Sequence, residues 1–108
     1  AYLEHQEGML DAAEEHARHA LEIVPQAPEI ADTLAQVLID KGETEDAKAI
    51  YDSVMSEQVR SDEIYLNYIE LLLKMDLTPL AKRRLADRIF DAADSKARVA
   101  ELEQQYNL

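Results

Sequence analysis

The chain of 108 residues has no cysteine and no tryptophan, one phenylalanine, two glycines and three prolines. Without cysteine there is no disulfide framework, no thiol nucleophile and no thiolate metal site, and redox chemistry says nothing about compartment. Basic residues are scarce as well: 11 Lys and Arg stand against 23 Asp and Glu, a net charge of −12. Binders of nucleic acid neutralise phosphates with clustered Lys and Arg, so this balance points to basic or apolar protein surfaces instead. No apolar run approaches the ~18–20 residues of a spanning helix, and no basic segment followed by an apolar one opens the chain. The length suits one domain that buries roughly 60–70% of the surface its unfolded chain exposes.

With glycine and proline so rare, each acts as punctuation, and between them apolar residues recur at spacings of three and four. That rhythm predicts an all-α protein. A first amphipathic helix is expected from Asp11 to Val24, on the stripe Ala13, Ala17, Ala20, Leu21 and Val24. Asp11 and Glu14 open it as a capping box and Pro25 stops it. A second starts at Pro28, carries Ile30, Leu34, Val37 and Leu38, and ends at Gly42. Thr44, followed by Glu45 and Asp46, caps a third with Ala47, Ile50, Tyr51 and Val54. Ser61 opens a fourth bearing Ile64, Tyr65, Tyr68, Leu71, Leu72 and Met75. Thr78 and Pro79 open a fifth whose stripe includes Leu80, Ala81, Leu85, Ile89 and Phe90. Asp94 or Ser95 caps a last, polar helix with Ala97, Val99 and Leu102.

The punctuation is periodic. Gly42 follows Gly8 by the same interval that separates Ala47 from Ala13 and Ala81 from Ala47. A shared interval of roughly 34 residues is the mark of stacked supersecondary units. Antiparallel helix pairs of this length, with small residues where the helices meet, resemble tetratricopeptide repeats. Leu34, Ala35 and Leu38 stand at the family's large–small–large sites, Gly42 at the interhelix turn, and Ala47, Tyr51 and Val54 at the packing sites of the second helix. Ala31, Val59 and Asp76 depart from the pattern, replacing a bulky residue, a closing proline and a turn glycine.

The resemblance implies helix pairs stacked as a right-handed superhelix: a truncated repeat at 1–27, a complete repeat at 28–61, a third repeat at 62–92, and a C-terminal capping helix at 93–108. In that frame Gly8 is a turn, and the residues before it are the remnant of a first helix cut from a longer protein. The run "PEIADTLAQVLIDKGETEDAKAIYD" further resembles repeats of bacterial exosortase-linked exopolysaccharide lipoproteins.

Candidate sites for chemistry are thin. His16 and His19, three apart, offer two imidazoles to a metal, with Glu15 nearby and His5 to complete the set, but in the repeat frame both face solvent on the convex side and neither a cysteine nor a second pair supports them. The acidic pairs Glu14/Glu15, Glu45/Asp46 and Asp62/Glu63 read as first-turn charges that favour the helix dipole rather than as acid–base pairs. No calcium loop, phosphate loop or nucleophile–base pair can be nominated, so no cofactor and no enzymatic activity is expected. Lys82, Arg83, Arg84 and Arg88 read as a solvated face able to pair with the protein's own carboxylates.

In the family, ligands lie along a concave groove lined by the first helix of each pair. Carried over by position, the lining is Tyr2, His5 and Gln6, then Glu29, Asp32, Thr33, Gln36 and Ile39, then Glu63, Leu66, Asn67, Glu70 and Leu73. Asp32, Gln36, Leu66 and Glu70 stand where a carboxylate clamp has basic and amide groups, so a C-terminal carboxylate meets repulsion. The expected role is binding of a basic or amphipathic partner segment, with Ile39, Leu66, Leu73 and Tyr2 as apolar contacts and Asp32, Glu63 and Glu70 selecting basic side chains. The alternative is a spacer in a longer superhelix. Self-association is also expected, because the truncated end leaves Ala13, Ala17 and Leu21 partly uncovered.

Overall fold

The computed structural model describes residues 2–55 and 59–108, with side chains described from Gly8 onward outside the gap. Among the described residues there are six α-helices and no strand: α1 (Tyr2–Ile23), α2 (Pro28–Asp40), α3 (Thr44–Met55), α4 (Asp62–Lys74), α5 (Thr78–Ala86) and α6 (Ala93–Gln105). The all-α expectation holds. The chain divides into two compact units, Ala1–Val59 and Arg60–Leu108.

The helix bounds repeat: α4 begins and ends one sequence period after α2, and α5 begins one period after α3. The turns obey the same period. Gly42 at φ 82° and Asp76 at φ 61° are both left-handed. After α2, the Gly42 N–H donates to Ile39 C=O (2.9 Å) and the Glu43 N–H to Leu38 C=O (2.8 Å). After α4, Asp76 donates to Leu73 C=O (3.1 Å) and Leu77 to Leu72 C=O (2.9 Å). Each turn thus returns two orphan carbonyls of the preceding helix to a donor. Asp76 does this against the steric preference of a residue with a Cβ, and its carboxylate stands at the negative end of α4. Asp76→Gly is expected to stabilise unit 2 by about 0.5–1 kcal/mol, seen as a higher urea midpoint at constant slope. A lower midpoint would show that the aspartate side chain stabilises the turn.

In unit 1, α2 lies between α1 and α3. Leu34, Ala35 and Leu38 of α2 and Ala47, Tyr51 and Val54 of α3 are fully buried. Small side chains at Ala35 and Ala47 let the two helices approach, and each large one contributes about 1.5–3 kcal/mol by leaving water. Ala31, expected to weaken its site for want of bulk, is itself fully buried. In unit 2, α4 packs against both α5 and α6. Its buried residues are Ile64, Leu66, Tyr68, Ile69, Leu71, Leu72 and Leu73, joined by Ala81 of α5 and Leu102 of α6.

Five local expectations are overturned. Gly8 forms no turn: α1 runs through it as one helix of 22 residues, so the first helix does not begin at Asp11. Glycine only permits a left-handed turn; it tolerates the helix interior at a cost of about 1 kcal/mol, and a hairpin needs a packed partner to select the turn. Asp11 and Glu14 are therefore mid-helix, not a capping box, and both hold Lys41 Nζ at 2.7 Å. Thr44 is the first helical residue rather than the cap, since the Glu43 carbonyl already accepts from Ala47 N–H.

Helix α5 stops at Ala86, leaving Ile89 85% exposed and outside the helix. There the chain unwinds so that the Arg88 guanidinium reaches Asp62 Oδ1 and the Arg60 carbonyl, both at 2.9 Å, and lies over the Tyr65 ring. Phe90 also turns onto Tyr65, with ring centroids 6.2 Å apart. Finally, α6 starts at Ala93 with Ala92 as an N-cap that offers no side-chain bond, so neither Asp94 nor Ser95 caps it.

Candidate protein-binding surface

The positions expected to line a groove fall on one stripe of α2 and one of α4. Each belongs to its own unit.

On α2, Glu29 and Thr33 are exposed, and Asp32, Gln36 and Ile39 are half-buried. Thr33 Oγ1 donates to the Glu29 carbonyl (3.0 Å), a bond that keeps its hydroxyl on the helix surface. Asp32 and Gln36 are not simply solvent-facing. The Tyr51 hydroxyl of α3 donates to Asp32 Oδ1 (2.5 Å), and Gln36 Nε2 donates to the same hydroxyl (2.9 Å). A fully buried tyrosine has its polar tip satisfied at the edge of the core, and two groove candidates double as its partners.

On α4, the structure differs more sharply from expectation. Leu66 and Leu73 are 1% and 2% exposed, so neither stands open in a groove. The stripe is taken by α6. Arg98 Nη2 donates to Asn67 Oδ1 (2.6 Å) and to Glu70 Oε2 (2.9 Å), and its other amino group reaches the Glu63 carbonyl at 3.4 Å. Positions 63, 67 and 70 follow one another on a single helical face, so one guanidinium spans two turns of α4. Ser95 Oγ donates to Asp62 Oδ2 at 2.7 Å, fastening the start of α6. That bond and the Arg88 guanidinium beside it hold the Asp62 carboxyl below the usual aspartate range. The anchor is therefore complete above the ordinary aspartate pKa and weakens as pH falls through the lowered value. A shallow pocket of about 260 Å³ remains between Glu63, Leu66, Asp94, Ser95 and Arg98. The chain's own arginine thus makes the contacts that Glu70 was expected to offer a partner.

Tyr2, His5 and Gln6 lie outside the residues whose side chains are described. His16, expected on a convex face, borders an open cleft of about 460 Å³ between α1 and α2, with Ala13, Ala17, Ala20, Glu29, Ile30 and Thr33. His19 is exposed, its Nδ1 3.9 Å from Glu22. Among the described residues no group of three His, Cys, Asp or Glu is placed to hold a metal ion, and no helix is long and apolar enough to cross a membrane. The self-association expectation is partly reshaped here: Ala13 and Leu21 are half-buried, but Ala17 is buried. Lys41 ties α2 to α1 through Asp11 and Glu14, and its bond to Glu14, with that of Arg18, holds the Glu14 carboxyl below its usual value.

Sequence reasoning missed the seat of α6. The signal lay in Arg98 and Leu102, one basic and one apolar residue four apart on an otherwise polar helix, complementary to the acidic and apolar stripe of α4.

A repeated hairpin with matched turns, matched helix bounds and matched small residues is the geometry of a helical repeat, and a tetratricopeptide repeat family model matches residues 4–65, more than half of the chain. The chain belongs to the tetratricopeptide repeat family. No curated protein and no solved structure gives a significant match. Tetratricopeptide repeats generally mediate protein–protein interaction and are generally non-catalytic, which sets the class of function for the stripes described above.

Proposed function

We propose that this chain is a non-catalytic interaction module whose α2 stripe receives a basic or amphipathic segment of a partner protein, as part of a larger scaffold. The observation that carries the reading is the contrast between the two stripes. The α4 stripe is filled by α6, whereas α2 presents Glu29, Thr33 and the half-exposed Ile39 beside the polar edge at Asp32 and Gln36. Ile39 supplies apolar contact and Glu29 with Asp32 favours Lys or Arg on the partner. The likeness of residues 28–52 to the bacterial exosortase-linked lipoproteins belongs to this proposal too, as the kind of scaffold that would carry such repeats.

Glu29→Lys and Ile39→Ala are each expected to weaken binding of a basic amphipathic peptide by about tenfold, equivalent to ~1.4 kcal/mol, while leaving the melting midpoint near that of the parent. Fluorescence titration checks this, and unchanged affinity in both variants would remove α2 from the reading. The spacer reading is favoured by one fact: of the three apolar groove candidates on α2 and α4, only Ile39 retains exposure. Absence of any saturable peptide binding would leave the spacer as the better account.

A further inference from the structure

Helix α1 carries an uncharged seam. Met9, Ala13, His16, Ala20 and Ile23 follow one another at spacings of four, three, four and three, the spacing of a heptad seam. Met9 is 61% and Ile23 69% exposed, His16 is exposed, and Ala13 and Ala20 are half-buried. The charged side chains of this stretch, Asp11, Glu14, Glu15, Arg18 and Glu22, all fall outside the seam, and its flanks carry Ala12, Ala17, His19 and Val24. In a chain of net charge −12, a helix face free of carboxylates is where like chains meet without repulsion. The repeat frame gives the same face a second meaning. Ala13 and Ala20 lie one period before Ala47 and Val54, which are fully buried. Among the described residues the corresponding face of α1 has no such cover and opens onto the cleft bordered by Glu29, Ile30 and Thr33 of α2.

We infer that this seam pairs, antiparallel and about a two-fold axis, with α1 of a second copy of the chain. Bulky and small residues alternate along it, and in an antiparallel pair each heptad layer sets a residue of one kind against one of the other. Ala13 then meets Ile23 of the second copy and His16 meets Ala20, and the symmetry repeats both layers. Every alanine faces a larger side chain, so the layers fill evenly. A parallel pair would instead set Ala13 on Ala13 and Ile23 on Ile23, leaving gaps beside crowded layers. The self-complementarity is what an isologous interface requires. This rests on the reading of the chain as an interaction module, and Glu29 and Thr33 of the α2 stripe border the same cleft as the seam.

The test uses the whole chain, which has no cysteine of its own. Sedimentation should show a dimer that tightens as salt screens the net charge, and Ala20→Glu should weaken it at least about 100-fold by placing a carboxylate in the seam. Ile39→Ala, outside the residues that line the cleft, should weaken peptide binding and leave the dimer intact, so that loss of the dimer and loss of the α2 reading remain separate outcomes. Ala13→Cys and Ile23→Cys, each mild in size, should form a disulfide dimer under mild oxidation when mixed and not when either is alone. A monomer at all concentrations would overturn the proposal, whether the seam stays bare or takes a helix of another protein. Efficient cross-linking of either single variant with itself would overturn the antiparallel pairing.

Discussion

Leu38→Ala and Leu72→Ala are each expected to destabilise their unit by about 2–5 kcal/mol. The two leucines lie one sequence period apart, one in α2 and one in α4, and both are fully buried. Each also supplies a carbonyl that accepts the long bond of the following turn, from Glu43 and from Leu77. The side chain that fills the core thus grows from a residue in the last turn of the helix. Truncation leaves a cavity that the neighbouring side chains close only in part, and the two costs should be of similar size because the two sites are frame equivalents. Thermal and urea melts of the two variants measure this. A marked difference in cost, with one variant near the parent, would mean that the period relates the sequences of the two hairpins but not their packing.

The second large effect runs the other way in volume. Ala47→Leu and Ala81→Leu are each expected to cost roughly 1–3 kcal/mol, because an added side chain at a close helix crossing forces the pair apart or its neighbours off their rotamers. Both alanines are fully buried, and each follows the left-handed turn residue of its hairpin by five positions. A cost near 1 kcal/mol corresponds to a fall of about 4–8 °C in melting midpoint for a domain of this size. An unchanged midpoint in either variant would place that alanine away from the crossing. Ala47→Gly serves as the companion measurement: it removes bulk but lowers helix propensity by about 1 kcal/mol, so destabilisation there reports the helix rather than the crossing.

What the sequence made legible follows from where single residues decide the backbone. Pro28, Gly42, Ser61 and Pro79 each restrict or permit a specific conformation, and the helices between them start and stop within a residue or two of expectation. The buried faces of α2 and α3 were readable for the same reason, since spacing alone puts Leu34, Ala35 and Leu38 on one side. Gly8 was misread because glycine allows a turn without requiring one, and the helix through it keeps its hydrogen bonds. Ile89 continued the stripe of Leu85 at the right spacing, yet the pull of Arg88 toward Asp62 and of Phe90 toward Tyr65 ended α5 first. Long-range polar contacts of this kind leave no periodic trace.

The same reason explains the candidate surface. A groove position is recognised by its place in the repeat, and whether something already lies on it depends on a side chain far along the chain. Arg98 is 28 residues from Glu70 and 31 from Asn67. Asp32 and Gln36 were placed on the groove stripe by spacing, whereas their bonds to Tyr51 depend on how α3 crosses α2. The residues were readable; their partners were not.

Amide chemical-shift mapping of the whole chain during titration with a basic amphipathic peptide tests the central claim most directly. Saturable shifts confined to amides of α2, with α4 and α6 unmoved, are the predicted result. Shifts on residues 63–73 together with loss of the α6 signals from their docked positions would contradict it, because the α4 stripe would then be the binding surface and α6 its displaceable cover.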